Sequence, residues 1–147
     1  MLVEIGQRLL GAVRRYMESG MDGVLSPLFR PDAGRKEIEA AFARMIDHAA
    51  GPKGRHGCLV NNCMAELAGA DAEVRRALVA ARTLVEDGFT RAVERGQADG
   101  TIARHESPRS IGRFLLNNFS GLNIASKGAP GRAALEDVAR VALRSLD

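Results

Sequence analysis

Apolar residues recur every three or four positions along almost the whole chain, which is the spacing of an amphipathic α-helix with one buried face. Gly, Pro and Ser residues interrupt this spacing and divide it into six segments. We predict six helices, at about residues 2–17, 38–49, 58–68, 74–96, 108–127 and 135–146. No run alternates with period two for long enough to predict a strand. The pattern therefore predicts an all-α bundle that occupies residues 1–147 as one domain.

The ends of two helices are marked by residues that satisfy free backbone groups. Asp71 is expected to cap the fourth helix by accepting from its first amides, and Gly100 to close it. Ser107 followed by Pro108 is expected to begin the fifth helix, because serine caps well and proline is tolerated in the first turn.

Charge and composition narrow the classes of function. The formal net charge of +3 comes from 21 basic and 18 acidic residues, and both signs are spread along the chain. Since a phosphate-binding surface needs its cations gathered together, we interpret this basicity as a solvated surface. There is no stretch resembling an export signal or a membrane span, so no membrane partner is predicted. Two cysteines make no disulfide framework, which favours a reducing cytoplasm.

Polar residues concentrate in the third segment, between His56 and Glu66. Cys58 and Cys63 lack the second ligand pair that structural zinc prefers, so we predict no metal and no cofactor. A thiol enzyme remains an alternative, with Cys58 or Cys63 as nucleophile and one of the three histidines, His48, His56 and His105, as base. A helical bundle with sparse polar clusters disfavours it, and the chain is predicted not to be an enzyme.

Paired asparagines inside apolar helices suggest either core hydrogen bonding or a pocket, and the sequence leaves both open. Asn61 and Asn62 form one pair and Asn117 and Asn118 the other. Our candidate pocket residues face one another across apolar stripes: Met17, Phe42, Ile46, Asn62, Cys63, Glu66, Val85, Phe89 and Asn118. They predict a small, mainly apolar effector, with a cationic one favoured if Glu66 faces inward. Cys58, at the start of its helix, is a candidate thiol sensor.

The last two helices carry more apolar surface than a six-helix monomer needs. Gly112 and Gly121 inside a helix suggest that another backbone approaches closely. Two copies of a helix pair can form a four-helix bundle about a twofold axis, which predicts a homodimer. The candidate interface residues are Leu115, Phe119, Gly121, Leu122, Leu135, Val138 and Leu146.

Several segments, taken together and in order, resemble the C-terminal regulatory domain of the tetracycline-repressor (TetR) family. They begin with Leu9-Leu10 and Val13 to Tyr16, and continue with Gly57-Cys58-Leu59-Val60-Asn61, Glu66-Leu67-Ala68, Asp71 to Arg75, Phe89 to Gly100, and Phe114 to Leu122. The Gly-Cys-Leu and Arg-Gly-Gln-Ala-Asp-Gly segments are the most specific of these.

The resemblance implies a repressor in which the first five helices surround an effector cavity and the last two form the dimer. In that family an N-terminal helix-turn-helix domain of roughly fifty residues binds operator DNA, and effector binding releases it. Only eight residues precede Leu9 here, so we expect that domain to be absent and operator binding to require a longer parent protein. The alternative is a stand-alone helical protein that dimerises with a partner regulator and titrates it.

Overall fold

The computed structural model describes residues 2–21 and 23–147, with the side chains of residues 2–6, 9, 20 and 21 left out of the description. Within these residues the chain is all-helical, with no strand, and the six predicted helices are confirmed. They are α1 (Leu2–Met21), α2 (Arg35–Ala50), α3 (Leu59–Leu67), α4 (Ala72–Asp99), α5 (Pro108–Ala125) and α6 (Arg132–Leu143). Single 3₁₀ turns lie at Ser26–Phe29, Gly54–His56, Ser126–Gly128 and Arg144–Leu146.

The predicted helix caps are present. The Asp71 carboxylate accepts from the amides of Glu73 and Val74 at 2.8 and 3.0 Å. Ser107 Oγ accepts from the amide of Ser110 at 3.1 Å. Gly100 ends α4 in the left-handed region, at φ 82°, where a residue without a Cβ is unstrained.

Other helix ends differ from the prediction by a few residues. Helix α1 continues past Ser19 to Met21, because one glycine costs a helix only about 1 kcal/mol and does not end it. Helix α3 starts at Leu59 instead of Cys58. The preceding Gly57 has φ 65°, and Cys58 follows it in an extended conformation as the N-cap.

The core divides into two clusters joined by α4, which at 28 residues is about 42 Å long. A large cluster packs the second half of α4 against α2, α5 and α6, with Phe42, Phe89 and Leu115 among its fully buried members. A small cluster packs the first half of α4 against α1 and α3 through residues such as Val13 and Leu78. The two clusters meet in the middle of α4.

Helix α5 lies close against α4 because Gly112 carries no side chain. A Cβ built there would come within 2.5 Å of Thr90 Oγ1 and 3.1 Å of its backbone nitrogen. The close backbone approach that we expected at Gly112 is therefore between α4 and α5 of the same chain. A Cβ built at Gly121 would meet no atom of the described residues within 4 Å beyond the adjacent backbone of its own helix, so this site is open.

Candidate functional site

A cavity of about 410 Å³ lies between α1, α2, α3, α4 and α5. This volume is in the range of small-molecule sites. Its apolar lining comprises Met17, Val24, Leu25, Met45, Val60, Ala81, Val85, Leu116 and Phe119. Its lining with polar or ionisable groups comprises Tyr16, Ser19, His48, Lys53, Cys58, Asn61, Arg82, Ser120 and Asn123.

The cavity occupies the junction between the two core clusters. Ala81 belongs to the small cluster and Val85, one turn further along α4, belongs to the large one, and both line the cavity. Met17 of α1 lines it as well and packs against both clusters. A molecule in this space would therefore contact both halves of the core.

Three lining side chains from three helices, Asn61, Arg82 and Ser120, meet at one wall of the cavity, and the exposed Asn117 joins them from outside the lining. Arg82 of α4 donates from Nη1 to Ser120 Oγ at 3.1 Å and to Asn61 Oδ1 at 3.4 Å. Its Nη2 donates to Asn117 Oδ1 at 3.3 Å. Asn61 in turn donates to the backbone oxygen of Ser120 at 3.5 Å. Arg82 thus ties α4 to α3 and α5 through neutral oxygens.

Arg82 makes no ion pair with any acidic side chain in the described part of the chain. Glu86, one turn further along α4, is the residue that helical spacing would offer it. Glu86 instead accepts from Arg109 at 3.0 Å and from Arg113 at 3.2 Å, both on α5. The half-buried guanidinium at the cavity wall is therefore left with neutral partners.

Helix α1 contributes a phenol to the lining, and the N-cap of α3 contributes a thiol. Burial raises the pKa of the Tyr16 phenol well above its usual value, and the neighbouring Cys58 thiol adds to the shift, while the Leu59 backbone opposes it. Cys58 is half-buried and lines the cavity. Burial, with Glu66 and Cys58 adding, also raises the pKa of the Cys63 thiol. Both cysteines are free, and the reactivity of Cys58 stays a prediction.

The predicted pocket residues are only partly brought together. Met17 and Val85 line the cavity. Phe42 and Phe89 are buried behind it, where their rings contact that of Phe119, whose centroid lies 5.5 and 5.9 Å from theirs. Ile46 is buried in the same cluster.

The polar members of that prediction lie away from the cavity. Asn62 donates to the His56 carbonyl and accepts from Lys127, both at 3.0 Å. Asn118 donates to the Phe114 carbonyl of its own helix at 2.9 Å. The remaining two sit on α3, where Cys63 is buried in the small cluster and Glu66 is exposed. The condition under which a cationic effector was favoured, an inward-facing Glu66, is not met.

Sequence reasoning missed Arg82, Asn61 and Ser120. Arg82 carried a weak signal, because it lies four residues after Leu78 and three before Val85, beside Ala81 on the apolar stripe of α4. Asn61 was recognised as unusual, but its neighbour Asn62 was chosen for the pocket. Ser120 gave no signal, since a serine in a helix is common on any face.

Most of the predicted dimer residues are used inside the chain. Leu115, Phe119, Leu122, Leu135 and Leu146 are all buried in the large cluster. Gly121 and Val138 are exposed. The same side of α5 also exposes Phe114 and Ile124, and α6 exposes Val141, with 47%, 59% and 56% of their surfaces accessible. We call Phe114, Gly121, Ile124, Val138 and Val141 the outer face.

The thiol-enzyme and metal-binding alternatives considered from the sequence have few of the contacts that they require among the described residues. His48 lines the cavity with Cys58, but no hydrogen bond joins a histidine to a cysteine among the described residues, and His56 and His105 are exposed. In the same residues, no three His, Cys, Asp or Glu side chains are grouped so as to hold a metal ion. None of the helices described is both long and apolar enough to cross a membrane.

The fold and site define the chain as a helical domain with a ligand-sized cavity walled by five of the six α-helices that the described residues form. The family described as tetracyclin repressor-like, C-terminal domain, matches residues 34–142, which is most of the chain from α2 to α6. The chain belongs to this family and is a regulatory domain of a TetR-type transcription regulator, as the sequence motifs indicated. No significant match was found to a curated protein or to a solved structure.

Proposed function

We propose that this chain senses a small effector in the cavity, dimerises through the outer face, and couples effector binding to operator release in a longer repressor. The observation that carries the proposal is the position of the cavity at the junction of the two core clusters. A ligand bound there would contact Met17 of α1 together with α4 and α5.

Coupling requires that the ligand prefer one arrangement of the protein over another. Helix α1 packs on α3 and α4 in the small cluster, while α5 and α6 belong to the large one. A ligand between the clusters can change their spacing, and α1 resembles the helix that follows the DNA-binding domain in this family. Movement of α1 relative to α5 and α6 is the proposed signal.

Dimerisation is supported by apolar residues that the single chain leaves uncovered. Phe114, Gly121 and Ile124 recur on one side of α5, and Val138 and Val141 on one side of α6. Gly121 offers a position without a side chain where a second backbone can approach. Two copies of these helices would bury the outer face as a four-helix bundle.

The dimer is tested by placing a charge on the outer face. We expect Val141→Glu to weaken self-association by at least about tenfold, because a carboxylate buried in an apolar interface is strongly penalised. Val79→Glu is the matched control, since Val79 is equally apolar and 49% exposed but lies on α4. Sedimentation velocity over a range of concentrations measures both. Equal association of the two variants would refute the proposed interface.

Operator release is tested in the reading frame that contains this chain, extended upstream of Met1. Effectors are first selected by their stabilisation of the chain against heat, then added to the extended protein on its operator in a gel-shift assay. Loss of the shifted band supports a repressor. An effector that binds the chain without altering DNA binding refutes the coupling, and a protein that binds no DNA but dimerises with a full-length regulator supports the titration alternative.

A further inference from the structure

We propose that the cavity takes an anionic amphiphile, whose charged head group binds at Arg82, Asn61 and Ser120 while its apolar body fills the rest of the space. This inference rests on the proposed sensing function and specifies the chemical class of its effector. It reverses the expectation of a cationic effector that an inward-facing Glu66 would have favoured.

The first argument is that the charge of Arg82 has no acidic partner among the described residues. A half-buried guanidinium loses hydration, and three neutral acceptors at 3.1 to 3.4 Å replace it poorly. Some other arginines have carboxylates at shorter range, as Arg35 does with Asp147 at 2.7 Å and Arg109 with Asp87 at 2.6 Å, and those that bond only neutral oxygens, such as Arg44, are exposed to water. The guanidinium fork matches a carboxylate or phosphate, which would supply the missing counter-charge.

The second argument is the sign of the remaining lining. Lys53 adds a second cation, and among the described residues no acidic side chain lines the cavity. Asn61 and Ser120 add an amide and a hydroxyl next to Arg82, and both can donate to an anion. Glu66 lies on the exposed face of α3. This lining attracts a negative head group and disfavours a positive one.

The third argument is the shape of the remaining space. Most of the wall is apolar, with Met45, Leu116 and Phe119 contributed by α2 and α5. A water molecule occupies about 30 Å³ in the liquid. At the same volume per non-hydrogen atom of a ligand, the cavity of about 410 Å³ holds on the order of a dozen ligand atoms. A medium-length alkyl or aromatic acid has this size and this distribution of polarity.

The experiment compares three probes that share a ten-carbon chain length and differ in head group: decanoate, decanol and decyltrimethylammonium. The chain has one tyrosine and no tryptophan, so Tyr16 is its only strong intrinsic fluorophore, and it lines the cavity. Tyrosine fluorescence therefore reports on occupancy. We expect decanoate to bind at least about tenfold tighter than decanol, as a charge-assisted pair to Arg82 implies, and decyltrimethylammonium to bind most weakly.

Variants assign the preference to Arg82. In Arg82→Gln the ratio of decanoate to decanol affinity is expected to fall about tenfold, towards equality. The matched control is Arg91→Gln, at an exposed position of the same helix, which should leave the ratio unchanged. Because the ratio is taken within one variant, a loss of stability cancels. If Arg82→Gln does not fold, Arg82→Lys keeps the charge without the fork and should give an intermediate ratio.

The outcomes separate this inference from the function on which it rests. Decanol or decyltrimethylammonium binding as tightly as decanoate overturns the anionic preference and leaves the sensing function in place. An unchanged ratio in Arg82→Gln overturns the role of Arg82. If none of the probes binds, the inference fails, and sensing is then decided by the effector selection described above. Decyl phosphate in the same assay distinguishes a phosphorylated ligand from a carboxylic acid.

Discussion

Enlarging Ala81 to leucine would fill part of the cavity from its α4 wall. Ala81 is 7% exposed and lines the cavity. Each carbon added to a buried side chain is worth about 0.8 kcal/mol, which gives about 2 kcal/mol for leucine. Fixing the leucine rotamer costs roughly 0.5–1 kcal/mol. We therefore expect Ala81→Leu to raise the free energy of unfolding by about 1–2 kcal/mol and to weaken binding of decanoate and decanol alike.

Ala92→Leu is the matched control, because it makes the same change on the same helix in a filled part of the core. Ala92 is fully buried in the large cluster and does not line the cavity. Added carbons there overpack the core, at a cost of about 1–3 kcal/mol. The two substitutions should thus change stability in opposite directions.

Urea unfolding followed by far-ultraviolet circular dichroism measures both variants. The free energy of unfolding must fall with urea concentration at a similar slope in both variants and in the unchanged chain, so that a shift in midpoint reports stability alone. A loss of stability in Ala81→Leu as large as that in Ala92→Leu would refute the cavity beside Ala81. Unimpaired binding of decanoate to a stable Ala81→Leu would show that the ligand lies elsewhere.

Two further predictions concern α5 and the buried phenol. Gly112→Ala should be less stable than Gly121→Ala by about 1–3 kcal/mol in urea unfolding, with both measured in the Val141→Glu background. Both substitutions gain helix propensity equally, but only Gly112 lies close to Thr90. Equal stabilities would contradict the α4–α5 packing. Because the pKa of Tyr16 is raised, the folded chain keeps a proton that the unfolded chain releases above about pH 10, so the free energy of unfolding should fall as pH rises past that value. Tyr16→Phe should lose that part of the pH dependence. If the free energy of unfolding of Tyr16→Phe falls with pH as steeply as that of the unchanged chain, the assignment to Tyr16 is refuted.

The helices were predictable because their signals are local. The spacing of residues such as Ile38 and Phe42 places them on one face of a helix whatever the partner. Asp71 and Ser107 satisfy amides two or three residues away, so their role is visible in the sequence itself. The small errors at Met21 and Leu59 arise where the neighbouring backbone, rather than the stripe, sets the helix end.

The cavity lining was only partly predictable, because it depends on how each helix is rotated against its neighbours. Met17 and Val85 were found because they lie on apolar stripes that face inward. Asn61 and Asn62 differ by about 100° around α3, and nothing local shows which of them faces α4 and α5. The position of Asn61 became clear only from its contact with Arg82, which is a contact between different helices.

On α5 the inner, buried side was mistaken for the dimer-forming side, for a similar reason. This helix has apolar residues on two sides, with Leu115 and Leu122 on one and Phe114 and Ile124 on the other. Periodicity identifies both sides but not which one packs against the chain's own core. The homodimer stays a prediction, and its interface is now proposed at the exposed side.

Hydrogen exchange with and without the tightest-binding decyl probe tests the central claim most directly, namely that a ligand binds between the two core clusters and acts on α1. We expect added protection in α1 around Met17, in α3 around Asn61 and in the part of α5 that contains Leu116 and Phe119, with α6 unchanged. Protection of α5 alone would contradict the coupling to α1. Protection confined to the outer face would contradict the site itself.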